Sequence, residues 1–186
     1  MTQRLKILTL TVLFFVPFIA LGQMYSVYEE EENKVINQFF RKFIGRDSLN
    51  VAYNLESLQI VYFNTRLGCN LDNFSFKGDY KPNRLLRRLE NNQLGFREID
   101  STKIERLNNV KIIFKDKVDY SLENYKSDNV IGTFDISRVS FNKSLTVGYF
   151  YVSVYCGLEC GWGNLIKIKK KKGNWVIVDY LVSWVS

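Results

Sequence analysis

The chain has 186 residues, enough for one compact domain, and its 46% apolar and 24% charged residues are ordinary globular values. Lys and Arg outnumber Asp and Glu by 26 to 19, a formal charge of +7, and there are three cysteines and no histidine. The missing histidine excludes Ser-His-Asp and Cys-His nucleophiles, His-ligated zinc or haem, and a histidine pH switch.

Residues 1–22 read as a secretory signal peptide. Arg4 and Lys6 form a positive start, Ile7 to Ala20 is an uncharged apolar run, and Ala20-Leu21-Gly22 is a small-residue cleavage site before Gln23. The run is shorter than the roughly 18–20 residues of a spanning helix, and Pro17 interrupts it. Cleavage leaves residues 23–186 as a single α+β domain with no membrane span, and loss of Arg4 and Lys6 lowers the charge from +7 to +5. The expected location is periplasmic or extracellular, an oxidising compartment.

Ser26-Val27-Tyr28-Glu29 fits a capping box, so Glu29 to Glu32 would be the solvated first turn of a helix. Val35, Ile36, Phe39, Phe40, Phe43 and Ile44 follow at helical spacing and predict one apolar stripe ending at Gly45. Residues 57–65 are β-rich and predict a strand. The loop with Gly68, Cys69, Asn70, Asp72 and Asn73 lacks the ligand spacing of a calcium site. Pro82 fits the start of a helix over 83–90, with Arg84, Arg87 and Arg88 on its wet face and Gly95 past its end. Residues 101–107 read as a helical turn and Val110 to Phe114 as a strand. Residues 116–131 show no clean period and read as loop, with helix as the alternative.

The last third is β-rich. Thr133 to Phe141 and Leu145 to Cys156 are two strands joined by Asn142-Lys143-Ser144. Both faces of the second are apolar or aromatic, which predicts a central strand. Ile166 and Ile168 alternate with Lys167 and Lys169, a half-buried strand. Trp175 to Val185 closes a four-strand antiparallel meander. The order predicts an N-terminal amphipathic helix packed on a curved antiparallel sheet.

Ser137-Arg138-Val139-Ser140-Phe141-Asn142, Cys156-Gly157-Leu158-Glu159-Cys160-Gly161-Trp162-Gly163, Lys172-Gly173-Asn174-Trp175 and Trp184-Val185-Ser186 form a pattern. It resembles the C-terminal part of a family of uncharacterised exported bacterial proteins. The resemblance implies an extracytoplasmic protein and conveys no catalytic residue. By element order alone the chain is also similar to NTF2/cystatin-like folds, and fold does not fix function.

Cys156 and Cys160 flank a glycine-rich turn at a spacing that suits a disulfide in an oxidising compartment. Pairing of Cys69 with either one is the competing assignment. The spacing is not that of thioredoxin-like sites, and two thiolates without histidine make a poor metal site, so no metal and no cofactor are expected. Glu159 is the only carboxylate in the loop. It is a candidate acid/base or cation ligand that needs a second carboxyl such as Glu56, Asp135 or Asp179, with an exposed loop acid as the plainer reading. Trp162 is a candidate stacking residue, with packing over the neighbouring strands as the plainer reading.

The lysines at 167, 169, 170, 171 and 172 read first as a solvated edge strand and turn that discourages aggregation. Their functional version is contact with anionic envelope lipid or polysaccharide, and export argues against nucleic acid.

The leading expectation is a small exported binding or interaction module, not an enzyme, whose aromatics line a pocket between helix and sheet. Its ligand would be a small molecule or an envelope component. The alternatives are a carboxylate-only glycan hydrolase and a structural envelope protein.

Overall fold

The computed structural model describes residues 25–44, 59–64, 66–67, 83–91, 93–107, 110–115, 130–157 and 160–185. The leader, the helix end at Gly45, the Cys69 loop, Pro82, residues 116–129, Leu158 and Glu159 lie outside them. The chain divides into two compact units, Met1–Glu32 and Asn33–Ser186.

Among the described residues the first helix, α1, covers 25–43. Tyr25 is already helical, so Ser26 lies inside the helix and not at its cap. The acidic run is not uniformly solvated either: Glu30 is exposed, Glu29 is half-buried, and Glu31 and Glu32 are buried. The physical reason is the helical period, which places Glu32 on the same stripe as Val35, Ile36 and Phe39. From Val35 onward that stripe is core: Val35, Ile36, Phe39, Phe40 and Ile44 are all buried. Phe39 meets the rings of Phe134 at 6.4 Å and Phe150 at 6.0 Å, and Phe40 meets Phe63 at 5.1 Å. These aromatic rings between helix and sheet are in contact with one another.

Strand β1 (Gln59–Asn64) and short β2 (Arg66–Leu67) come next, then α2 (Arg84–Glu90), β3 (Arg97–Glu98), a 3-10 turn (Ser101–Lys103) and β4 (Val110–Lys115). The C-terminal strands are β5 (Val130–Ile136), β6 (Ser140–Phe141), β7 (Val147–Gly157), β8 (Cys160–Lys171) and β9 (Asn174–Val185).

The start of α2 is fixed by Asn83, whose side chain accepts from the backbone N–H groups of Leu85 at 2.9 Å and Leu86 at 3.1 Å. The segment 97–105 is tied to α1. Arg97 donates to Asn33 at 2.9 Å, Asn37 bonds the backbone of Lys103 and Glu105 at 2.9 Å each, and Arg41 forms a two-point ion pair with Glu105.

The main sheet runs β4-β1-β5-β7-β8-β9, with β6 beside β7. The antiparallel meander is present from β5 to β9. The sheet as a whole is mixed, however, because β1 pairs parallel with both β4 and β5. An all-antiparallel sheet is therefore corrected to a mixed one, within a fold that is broadly α+β. Parallel neighbours require long crossovers, which leave no periodic trace in the strands themselves.

Strand β7 is central, as its two apolar faces predict. Phe150, Val152 and Val154 face the α1 side, while Tyr149 and Tyr151 face the α2 side; all five are buried. On the α2 side Leu86, Leu89, Tyr149 and Leu165 form one core cluster, bordered by Leu85, Leu94, Val147 and Leu181. A helix thus covers each face of the sheet at β7.

Two hairpins carry specific turn chemistry. Asn142 accepts from the backbone N–H groups of Thr146 at 2.8 Å and Val147 at 3.1 Å, closing the β6–β7 loop with its side chain. Between β8 and β9, Lys172 (φ 50) and Gly173 (φ 82) are both left-handed, the two-residue turn whose twist suits a hairpin.

Candidate interaction surface

The Cys156–Cys160 disulfide closes the far end of the β7–β8 hairpin, with Cα atoms 5.0 Å apart. Gly157 and Cys160 are register partners there, after a shift in pairing beyond Tyr155. Trp162 follows in β8, half-buried, between Val154 of β7 and Val185 of β9. Glu159 lies outside the described residues. Of its candidate partners, Glu56 does too, while Asp135 and Asp179 sit on β5 and β9, separated by β7 and β8. Three strand steps are about 14 Å, so Asp135 and Asp179 are too far apart to pair with each other, and the pairing of Glu159 with either one lies outside the described residues.

The polar residues of the C-terminal pattern build the scaffold. Ser137 is buried where the expected Thr133–Phe141 strand breaks, and its hydroxyl accepts from the Tyr151 N–H at 2.8 Å and donates to the Arg138 carbonyl at 2.9 Å. The strand ladder thus continues through a side chain across residues 137–139. Arg138 is buried and donates to the Leu94 carbonyl at 3.2 Å. Ser183 donates to the Gly163 carbonyl at 3.0 Å and lies 3.2 Å from the Tyr151 hydroxyl. Trp175 is buried with its ring 5.0 Å from that of Phe141.

The lysine run is not on an edge. β8 pairs with β7 on one side and β9 on the other, so the edge-guard reading is corrected. Strand alternation splits the run. Lys167, Lys169 and Lys171 project to the α2 side, Lys170 to the α1 side, and Lys172 sits in the turn. Lys167 lies over the Tyr149 ring at 5.7 Å and Lys170 over Trp175 at 5.5 Å, contacts that let each ammonium rest on an aromatic face.

The outer strand on this side is β9, and Asp179 is its only charged residue. Tyr180, Val182 and Val185 are 62%, 52% and 73% exposed. Their register partners Ile166, Asn164 and Trp162 put all three on the α1 side. Two bulges interrupt the strand, with Val178 and Ser183 as the extra residues.

Sequence reasoning missed this strip. Its trace was present: Trp175 to Val185 is apolar at both parities and carries one charge, more than a two-sided core requires. Among the described residues no helix is long and apolar enough to cross a membrane, and no three Cys, Asp or Glu side chains gather as a metal site. Comparison with protein families, curated proteins and solved structures finds no match.

Proposed function

We propose that the protein is an exported interaction module that receives a partner strand along β9. The observation that carries this reading is the outer strand itself. An edge with exposed backbone groups and apolar side chains is a template for strand addition, and proteins that do not use such edges guard them with lysine, proline, bulges, a covering segment or brevity. Here β9 is twelve residues long and has one carboxylate. The two bulges confine regular pairing to short stretches such as Asp179 to Val182, which suits recognition of a defined segment over open-ended stacking.

Export is supported by the leader and by the Cys156–Cys160 disulfide, which persists in an oxidising compartment. The NTF2/cystatin-like likeness belongs to the same proposal. It is supported by α1 lying on a sheet whose C-terminal part is a meander, and the parallel β1–β4 pair departs from it.

The test places a photocrosslinking residue at Val182, and at exposed Lys111 on β4 as control, in cells that make the protein. Val182 should capture one discrete partner in the exported fraction, Lys111 should not, and Tyr180→Asp should abolish the capture. Equal labelling from both positions, or a chain retained in the cytoplasm with its thiols free, would reject the reading.

A further inference from the structure

We propose that the α2 side of the sheet carries a second binding site, a cationic face for a linear, soluble polyanion such as a sulfated or carboxylated glycan. It is built from two elements remote in sequence. Helix α2 rests on Tyr149 and Leu165 through Leu86 and Leu89, which leaves Arg84 and Arg87 exposed and Arg88 half-buried, donating to the Phe141 carbonyl at 3.4 Å. On the same side of the sheet Lys167, Lys169 and Lys171 project from β8 at every second position. Same-side residues in an antiparallel strand repeat at about 6.8 Å, so the three lysines form a row about 14 Å long. Among the described residues none of these six cations is in an ion pair.

Edge protection does not account for the row, because β8 is an interior strand. The lysines therefore carry self-repulsion without the usual return in aggregation resistance, and a row of like charges is stabilised by an anionic ligand. The chemistry also selects among polyanions. A bilayer-binding face combines cations with exposed apolar side chains that insert. Here the exposed Tyr180, Val182 and Val185 are on the opposite side, while on the basic side Tyr149 and Leu165 are under α2 and Val176 is half-buried. Single-stranded nucleic acid is held by stacking on accessible rings, and Tyr149 and Tyr151 on this side are 4% and 5% exposed. What remains is a regular line of ammonium and guanidinium groups, which fits closely spaced anions on a chain. Asp135, register partner of Ser153, and Asp179, register partner of Lys167, are carboxylates on this side, and Asp179 is the one beside the lysine row and opposes binding.

The probe is a size-defined heparin oligosaccharide, titrated into the purified chain over a range of salt concentrations. Removing one cation that touches the polyanion lowers the salt slope by about 1. Arg84→Gln with Arg87→Gln should lower it by about 2, and Lys167→Gln, Lys169→Gln and Lys171→Gln together by about 3. Asp179→Asn should tighten binding. The control Arg106→Gln with Lys111→Gln removes two exposed charges elsewhere and should leave the slope unchanged. The arginine pair changes only exposed or partly exposed positions, so the test stands if the lysine triple variant fails to fold. Equal effects in control and face variants would reduce the effect to net charge and overturn the proposal. So would binding to anionic vesicles or to an oligonucleotide in preference to heparin.

Discussion

Gly148 shows how much one residue decides here. A Cβ at this position would stand 2.8 Å from Cδ1 of Phe141 and 3.1 Å from Cδ1 of Ile168, below any ordinary contact. Phe141 cannot yield freely, since its ring packs on Trp175. Gly148→Ala is therefore expected to cost about 1–3 kcal/mol through overpacking. The midpoint of urea unfolding checks it, and an unchanged midpoint would mean that the stack repacks. Asp100 is the second such residue. Its carboxylate caps the 3-10 turn, accepting from the Thr102 hydroxyl at 2.6 Å and the Thr102 N–H at 3.0 Å. These bonds favour the charged form and hold the carboxyl below the ordinary aspartate value of 3.8. The unfolded chain then binds the proton more readily, so the cap's contribution is present above that value and is lost as pH falls through the folded pKa. The stability difference between the native chain and Asp100→Ala should shrink toward zero on acidification through that window, and a difference independent of pH would contradict it.

At the scale of elements, local chemistry is legible in the sequence and neighbours are not. The helix over 83–90 is readable from its composition, and its start is held by Asn83. Asn83→Ala should cost about 1 kcal/mol while Asn83→Ser keeps most of the cap, a contrast that thermal unfolding resolves. The Cys156–Cys160 pair is readable from its spacing across a glycine-rich turn. Its loop is short, so replacing both cysteines by serine should cost about 2 kcal/mol in the chain-entropy account and should perturb amide shifts only around the β7–β8 end. Shifts spreading to β5 or α2 would mean that the bridge organises more than its own hairpin. The alternation of Ile166 and Ile168 with lysine predicts a half-buried strand, and that is what β8 is. Alternation reports which face is wet and says nothing about which strands flank it, so the same residues suit an edge equally well. Likewise β1 and β4 are visible as apolar runs, but their parallel pairing joins segments about fifty residues apart. Both candidate surfaces are hidden for the same reason, since each exists only once the neighbours of β8 and β9 are known.

Across the whole sheet, stability should follow topology. The strands from β5 to β9 pair with close sequence neighbours, and β7 is covered on both faces. The other end is built differently. β1 reaches β4 and β5 only through long crossovers, and its Phe63 bridges Phe40 of α1 and Phe114 of β4. Closing a long loop costs more chain entropy than closing a tight hairpin, so this end should open first in sub-global fluctuations. Native-state hydrogen exchange should show the slowest amides at Phe150 to Val152 and at Leu165 and Ile166, and faster exchange along β4. Phe63→Ala removes a fully buried ring and should cost about 3–5 kcal/mol locally. If the two ends are separable units of opening, its loss of protection will concentrate in β1 and β4 and leave β7 and β8 close to native. A uniform drop at every strand would show instead that the parallel pairs and the meander open together, and that β1 is as central to the fold's cooperativity as it is to its strand order.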